Sequence, residues 1–172
     1  METIKAHLLG DVISTNSSDA YTLFQKSSFG DKIGDKIVYS PSEALYLVEK
    51  GKMKVHQKNQ ILEFDELMKK LLRLDKKIQT KYAVFRDLRD KGYTVKTALK
   101  FGAEFRVYEK GAKMGQKHSK WIVFTDLESK GMTWQEFSSK NRVAHSTKKN
   151  LLLAILDDEG DITYYEIKWV KP

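Results

Sequence analysis

A tyrosine and a histidine ten positions apart, Tyr108 and His118, are the side chains of this protein best suited to acid–base chemistry. Both lie in the stretch EFRVYEKGAKMGQKHSKWIVF, residues 104–124, whose pattern predicts a strand, a glycine-bearing loop and a second strand. This arrangement brings the end of the first strand and the start of the second to one edge of a sheet. A phenol and an imidazole held together there can work as an acid–base pair.

Alternation along the first of these strands predicts which way its side chains point. Phe105 and Val107 share one face, and Glu104, Arg106 and Tyr108 share the other. The apolar face is expected to pack into the core of the protein. Tyr108 is then left on the polar face beside an arginine, where its phenol can meet a ligand.

Length and composition narrow the class of protein. The 172 residues fit one large domain or two small ones, and a hydrophobic content of 41% is enough for a core. Without a run of about 18 apolar residues or a signal-peptide pattern, the protein is expected to be soluble and cytoplasmic, with no membrane association. The absence of cysteine excludes disulfides and zinc–thiolate sites, and the four histidines lack the spacing of metal ligands. We therefore expect neither a metal nor a cofactor.

The formal charge of +8 is distributed unevenly along the chain. Residues 1–80 hold 13 basic against 11 acidic side chains, whereas residues 81–172 hold 18 against 12. The second half is therefore the better candidate for an anionic partner such as nucleic acid. The alternative is a charged surface that serves only solubility or heat resistance.

Helix starts are recognisable in the first half of the chain. Ser40 and Glu43 form a capping box around Pro41, which suits the first helical position. Asp65 is expected to cap a second helix with a clear apolar stripe. Residues 15–36 are rich in serine, aspartate and glycine, and no helix is assigned there.

The apolar spacing of the second helix is interrupted within residues 74–80, which predicts a break and a domain boundary. We expect a mixed α/β N-terminal domain at residues 1–78 and a C-terminal catalytic α/β domain at residues 79–172. The C-terminal elements are predicted as strands 93–98, 104–108, 120–125, 151–156 and 162–170, with a short helix opened by Thr133 and Glu136 whose Trp134 and Phe137 face inward. The predicted fold class is α/β (α+β), with a central mixed sheet flanked by helices in the second domain.

Three segments, FRVYEKG, KHSKW and RVAHSTKKNLLLAILDDEGDI, together with KYAVFRDLRDKGYTVKTALKFGAEFRVYEKG, form one long joint pattern. The pattern closely resembles the catalytic subunit of the archaeal tRNA-splicing endonuclease family. The resemblance covers nearly all of residues 81–172 and extends more loosely to SPSEALYLVEKGKMKV in the first half.

The resemblance implies an endoribonuclease that cuts precursor tRNA at exon–intron junctions, recognised through a bulge–helix–bulge fold. It implies a reaction without metal that leaves a 2′,3′-cyclic phosphate and a 5′-hydroxyl. By position, it makes Tyr108 the general base, His118 the general acid and Lys149 the stabiliser of the transition state. Arg142 matches a position that can hold a bulge base by cation–π stacking, although a solvated helix-end arginine is the alternative. Arg106 is a weaker candidate for RNA contact.

These side chains suit attack by a ribose 2′-hydroxyl on the neighbouring phosphate. The hydroxyl proton must leave, the 5′-oxygen must be protonated, and the added negative charge must be compensated. Histidine titrates near neutral pH and lysine is a dependable cation. A tyrosine is a weak base, with an ordinary pKa of about 10, so Tyr108 either takes the proton or only orients the hydroxyl. Lys148 adjoins Lys149, and the spacing favours Lys149 for the cationic role.

The sequence DDEGD places Asp157, Asp158, Glu159 and Asp161 in one turn of a basic domain. The turn is either simply solvated or, as the resemblance implies, an assembly loop that enters a basic pocket on a partner subunit. The partner is then a second copy in a homotetramer, or a structural subunit in a heterotetramer. The exposed last strand, residues 162–170, can pair or pack across a two-fold axis of the same assembly.

Two other functions remain open. The chain can be a non-catalytic architectural subunit that only positions RNA, although such a subunit does not need the tyrosine, histidine and lysine together. It can also be a metal-dependent nuclease that uses Glu166 and Lys168 as an E-x-K pair. No convincing aspartate precedes that pair on an adjacent strand, and alternating strands produce the pattern by chance.

Overall fold

The protein divides into two units, Met1–Tyr82 and Ala83–Pro172. A computed structural model describes residues 3–112, 115 and 117–172. The division falls within one helix, and the predicted boundary after residue 78 stays a prediction. None of the helices in the described ranges has the length and apolar character that a membrane span requires.

The first unit is built on a six-stranded sheet with three helices and the start of a fourth. Its elements are β1 Ile4–Leu9, β2 Val12–Thr15, α1 Ser18–Ser27, β3 Asp31–Ile33, β4 Lys36–Tyr39, α2 Pro41–Glu49, β5 Met53–Gln57, β6 Gln60–Leu62, α3 Phe64–Leu74 and α4 Ile78–Asp90. The strand order is β3-β4-β2-β1-β5-β6. β1 and β5 are parallel and the other pairs are antiparallel.

Local capping signals account for the helix starts of this unit, with two corrections. The capping box of Ser40 and Glu43 is present, with proline in the first turn of α2. α1 was not assigned from the sequence; Ser17 caps it and Leu23 is buried on its inner face. The predicted cap at Asp65 is wrong, because α3 begins at Phe64 and Glu63 occupies the N-cap position.

The break between α3 and α4 is confirmed. Asp75 ends α3 in an extended conformation, and its Oδ1 accepts a hydrogen bond from the Lys77 backbone N–H. Its other carboxylate oxygen pairs with the Lys81 ammonium at 2.7 Å. An aspartate that bonds the backbone two residues on competes with helix continuation, and this explains the break.

The second unit holds a five-stranded mixed sheet. Its elements after α4 are β7 Thr94–Ala98, a 3-10 turn Leu99–Phe101, β8 Ala103–Tyr108, β9 Trp121–Leu127, α5 Trp134–Ser146, β10 Asn150–Leu156 and β11 Ile162–Ile167. The strand order is β11-β10-β9-β8-β7, in which only β9 and β10 run parallel. α5 makes the crossover between those two strands, as a parallel pair requires.

Helices pack on both faces of this sheet, which confirms the predicted fold class. On one face, Ala144 of α5 packs with Ile122 and Leu151 in an apolar cluster. On the other face, the rings of Phe85 on α4 and Phe105 on β8 lie 5.8 Å apart. β10 is an interior strand with four consecutive buried residues, as its unbroken apolar sequence predicts.

Three details of the second unit differ from the sequence prediction. The predicted short helix extends over 13 residues. Trp134, expected to face inward, is 83% exposed because it occupies the first turn of α5, and its ring meets Phe137 edge-on. The last strand ends at Ile167 rather than Val170, so Trp169 follows it without regular structure.

Candidate active site

The backbone brings the positions of Tyr108, His118 and Lys149 to one edge of the five-stranded sheet. Tyr108 is the last residue of β8, and His118 stands three residues before the start of the neighbouring antiparallel strand β9. Lys149 immediately precedes β10, which runs parallel to β9. The end of β8 and the starts of β9 and β10 therefore lie side by side.

Two backbone hydrogen bonds connect these strand ends. The N–H of Lys120 donates to the carbonyl of Val107 at 2.9 Å, and the N–H of Asn150 donates to the carbonyl of Lys120 at 3.0 Å. Neighbouring strands are about 4.8 Å apart, so the backbone at these three strand ends spans roughly 10 Å. That distance is within the reach of a phenol, an imidazole and an ammonium group around one phosphate.

Tyr108 is more enclosed than alternation predicts. Ala103, Phe105 and Val107 are buried as expected, but Tyr108 is also buried, at 6% exposure. The following loop folds back at this point, where Thr94, the cross-strand partner of Tyr108, donates from its Oγ1 to the carbonyl of Ala112 at 3.2 Å. The expectation of an open polar face is therefore wrong for Tyr108.

His118 and Lys149 are more accessible than the tyrosine. His118 is exposed in the segment that leads into β9. Lys149 is half-buried, and its Nζ donates to the carbonyl of Thr147 at 3.2 Å. Its backbone N–H donates to the carbonyl of Ala144, and Lys148 before it has a positive φ of 56°. The chain thus turns tightly from α5 into β10 at the two lysines.

A cationic cavity opens beside this turn. Its volume is about 390 Å³, and its lining includes Asn141, His145, Lys148, Lys149, Lys168 and Trp169. We call it the lysine cavity. Three ammonium groups around one space favour an anionic ligand such as a phosphate. Tyr108 and His118 are not among the described residues that line it.

The two arginine candidates lie in different surroundings. Arg142 is exposed on α5 and lines a second cavity of about 460 Å³ with Phe137 and His145. Arg106 is half-buried on β8, next to Tyr108 in sequence. Among the described residues, its Nε has no hydrogen-bond partner.

The acidic turn, residues 157–161, lies at the opposite end of β10. Oδ1 of Asp157 accepts hydrogen bonds from the backbone N–H groups of Glu159 and Asp161 at 2.9 and 2.8 Å. Asp158, Glu159 and Asp161 are exposed, whereas Asp157 is half-buried. Asp157 therefore builds the turn, and the other three carboxylates face solvent. Seven residues of β10 place this turn about 20 Å from the candidate site.

Glu166, one half of the E-x-K pattern, has hydrogen-bond partners on two other strands of the sheet. The carboxylate of Glu166 accepts hydrogen bonds from the side chains of Trp121 and Asn150. Within the described ranges, no group of three or more histidine or carboxylate side chains is placed to hold a metal ion. Only the three-dimensional register of β9, β10 and β11 reveals the contact.

Both units match known protein families. The model of the tRNA intron endonuclease N-terminal domain matches residues 4–68, and that of the tRNA intron endonuclease catalytic C-terminal domain matches residues 78–164. The tRNA-splicing endonuclease of Pyrococcus horikoshii is 42% identical over 169 residues, covering 98% of this chain and 97% of the relative. The tRNA-splicing endonuclease of Methanothermobacter thermautotrophicus is 42% identical, and the match covers 95% of this chain and 96% of the relative. That of Nanoarchaeum equitans is 44% identical, and the match covers 76% of this chain and 87% of the relative.

Proposed function

The chain belongs to the tRNA intron endonuclease family, as its sequence predicts, and from this membership we propose that it is an endoribonuclease that excises introns from precursor tRNA. The cut falls at bulge–helix–bulge motifs. The reaction is a transesterification that needs no metal or cofactor and leaves 2′,3′-cyclic phosphate and 5′-hydroxyl ends. The observation that carries the assignment of the site is the meeting of three strand ends at one sheet edge.

Each candidate side chain has one task in this proposal. Tyr108 orients the attacking 2′-hydroxyl and, in its phenolate form, takes the hydroxyl proton and becomes a neutral phenol as the new oxygen–phosphorus bond forms. His118 donates a proton to the 5′-oxygen as the phosphorus–oxygen bond breaks. Lys149 compensates the extra negative charge on the phosphoryl oxygens in the transition state. The proton that Tyr108 takes from the 2′-hydroxyl is thus balanced by the proton that His118 gives to the 5′-oxygen.

The electrostatics of the lysine cavity support this assignment. Lys148 and Lys168 line the cavity together with Lys149, so a phosphate that approaches this edge meets several cations. Arg106 and Arg142 are the further candidates for contacts to the RNA. Such contacts hold the substrate without taking part in bond making or breaking.

The acidic turn serves assembly in this proposal. Asp158, Glu159 and Asp161 are exposed, and three carboxylates would repel RNA but suit a cationic pocket on another subunit. The resulting tetramer is either a homotetramer or a heterotetramer with a structural subunit. Its symmetry sets two active sites at the spacing of the two bulges, which one subunit of this size cannot span.

Cleavage of a precursor tRNA in the presence of EDTA tests the function. We expect the wild-type chain to cut, and His118→Ala to lose on the order of 10²–10⁴-fold in rate while it binds the RNA as before. Free imidazole should restore part of the lost rate, because it can replace the missing acid. Cleavage by His118→Ala at the wild-type rate would refute the assignment of the acid. RNA binding without any cleavage by the wild type would instead favour an architectural subunit, and activity that EDTA abolishes would favour a metal-dependent nuclease.

A further inference from the structure

One carboxylate oxygen ties together three strands behind the candidate site. Oε1 of Glu166, on β11, accepts a hydrogen bond from Nδ2 of Asn150 at 2.6 Å and another from Nε1 of Trp121 at 3.1 Å. Trp121 and Asn150 are the first residues of β9 and β10, and they are direct partners in the parallel pairing. The contact therefore fixes both strand starts at once.

These strand starts carry the candidate catalytic groups. Lys149 directly precedes Asn150, and His118 stands three residues before Trp121. Lys149 and Asn150 both line the lysine cavity, so the contact with Glu166 holds the residue next to the one that carries the ammonium group. Glu166 can therefore act on the ammonium group through the backbone of the adjacent residue.

The state of the carboxylate fits this contact. Desolvation works to raise the pKa of Glu166, but the hydrogen bonds from Trp121 and Asn150 outweigh it and hold the pKa below its usual range. The group is therefore ionised at neutral pH. An ionised carboxylate is an acceptor only, so it matches two N–H donors without conflict.

We infer that Glu166 is a positioning residue, which sets Lys149 and His118 against the scissile phosphate by holding Asn150 and Trp121. This inference rests on the proposed function. It gives Glu166 a role as a hydrogen-bond acceptor, in contrast to the metal ligand of the E-x-K interpretation.

Two substitutions at Glu166 separate these roles. Glu166→Ala removes the acceptor, and we expect kcat for precursor tRNA to fall roughly tenfold or more while KM and RNA affinity stay unchanged, since small misplacements of a reacting group are costly. Glu166→Gln keeps an oxygen at the position of Oε1 and should recover most of the rate. The indole N–H of Trp121 should exchange with solvent faster in the alanine variant than in the glutamine variant.

Several outcomes would overturn the inference. A glutamine variant as slow as the alanine variant would mean that the charge matters and not the acceptor. An alanine variant with wild-type kcat would mean that the contact has no catalytic role, as would a change in KM alone. If the wild type itself fails to cut in EDTA, the proposed function fails first, and the inference fails with it.

A different observation concerns the exposed face of the sheet in the first unit. Lys5 on β1 and Lys54 on β5 are direct register partners, and both are exposed. Lys36 on β4 is exposed on the same face. His7 pairs with Ser14, and Ser14 pairs with Val38, so these three side chains share one face. Lys5 lies two residues from His7 and Lys36 two residues from Val38, so both lysines point to that face. The exposed lysines of three strands therefore form one group, which we call the lysine face.

The acidic side chains of this unit lie mainly on helices and in turns. On the described part of the lysine face, Asp31 lies on the edge strand β3, and Glu63 follows β6 opposite Lys54. Lys5 and Lys54 are like charges in direct register, and such pairs are unfavourable in a sheet. Desolvation and the nearby charges of Lys5, His7 and Lys54 lower the pKa of His56 in the next row.

We propose that the lysine face binds the phosphate backbone of the precursor RNA outside the cleavage site. A row of ammonium groups on an open sheet face complements a polyanion and carries no base specificity. This proposal also rests on the RNA substrate of the proposed function. It adds a binding surface in the unit whose net charge is the smaller.

A triple substitution tests this surface. Lys5→Ala, Lys36→Ala and Lys54→Ala together should weaken binding of full-length precursor tRNA at least tenfold and lower its salt dependence by roughly two to three contacts. The matched control replaces three exposed lysines on the helical side, Lys26, Lys69 and Lys76, with alanine and should leave the salt dependence unchanged. Cleavage of a minimal bulge–helix–bulge RNA should be the same in all three proteins.

The outcomes of this test separate RNA binding by the lysine face from its alternatives. Equal salt dependence of the two triple variants would exclude RNA binding by the lysine face. A change in the mass of the assembly in the lysine-face triple variant would show that this face is a protein interface. That result would also overturn the proposal. Loss of cleavage of the minimal RNA by the wild type is a failure of the proposed function rather than of this surface.

Discussion

The two ends of β10 carry opposite charges. At its start, the lysine cavity gathers Lys148, Lys149 and Lys168. At its end, the acidic turn exposes three carboxylates. The separation of about 20 Å exceeds the Debye length of about 8 Å at physiological salt, so the charges at the two ends are largely screened from each other.

The two ends also differ in how accurately their charges are held. Backbone hydrogen bonds and the Glu166 contact fix the start of β10, which suits a group that must meet one phosphate. In the acidic turn Asp157 accepts two backbone hydrogen bonds, and Asp158, Glu159 and Asp161 are exposed to solvent. Chemistry at the first end should therefore depend on single side chains, and assembly at the second end should depend on their sum.

The largest expected effect is at the cationic end. Lys149→Ala should lower kcat on the order of 10²–10³-fold, because one charge-stabilising group is lost from the transition state. Single-turnover cleavage of precursor tRNA measures it. Lys148→Ala should lose less, and Lys130→Ala, an exposed lysine at the other end of the sheet, should keep the wild-type rate. A larger loss of kcat in Lys148→Ala than in Lys149→Ala would mean that Lys148, and not Lys149, stabilises the transition state.

The next effect concerns the anionic end. Reversal of its exposed charges by Asp158→Lys, Glu159→Lys and Asp161→Lys should weaken subunit association on the order of 100-fold, since carboxylates that meet a cationic pocket would become repulsive. Light scattering across a dilution series measures the mass. Reversal of Asp19, Asp35 and Asp65, which lie in the first unit, is the control. An unchanged mass in the acidic-turn variant would leave the turn as simply solvated.

A smaller effect separates the structural carboxylate from its neighbours. Asp157→Ala removes the acceptor of two backbone hydrogen bonds and should lower the free energy of unfolding by about 1–2 kcal/mol. Asp158→Ala should have no measurable effect on stability. Urea denaturation of both variants checks the difference, and equal stabilities would contradict the hydrogen-bond account of the turn.

The smallest effect is a pH dependence behind the cationic end. Because the pKa of Glu166 is held below its usual range, its stabilising effect is present above the unfolded pKa of about 4.3 and is lost as pH falls through the folded value. The Tm difference between wild type and Glu166→Ala should therefore be larger at pH 7 than at pH 3. A difference that grows at pH 3 would have the wrong sign.

Local signals in the sequence predicted most of the scaffold. The capping boxes at Ser40 and Thr133 and the helix break at Asp75 depend on residues a few positions apart. The interior position of β10 follows from its unbroken apolar run. α1 was missed because its serine- and aspartate-rich sequence has weak helix propensity, and burial of Leu23 against the rest of the unit stabilises it.

The features of the site that escaped prediction depend on distant contacts. Alternation placed Tyr108 on an open face, but the residue is buried, at 6% exposure. Glu166 was recognisable only as part of an E-x-K pattern, since its partners lie 16 and 45 residues away. The lysine face could not be predicted from the net charge, which is a sum over the whole segment. Only the strand register shows that Lys5 and Lys54 are neighbours.

A single 2′-deoxy substitution in the precursor tRNA, at the nucleotide on the 5′ side of the cut, tests attack by the 2′-hydroxyl directly. We expect the wild-type chain in EDTA to cut the unmodified RNA to 2′,3′-cyclic phosphate and 5′-hydroxyl ends. It should leave the deoxy RNA intact while binding it equally well. Cleavage of the deoxy RNA at a comparable rate would contradict attack by the 2′-hydroxyl, and with it the roles given to Tyr108, His118 and Lys149.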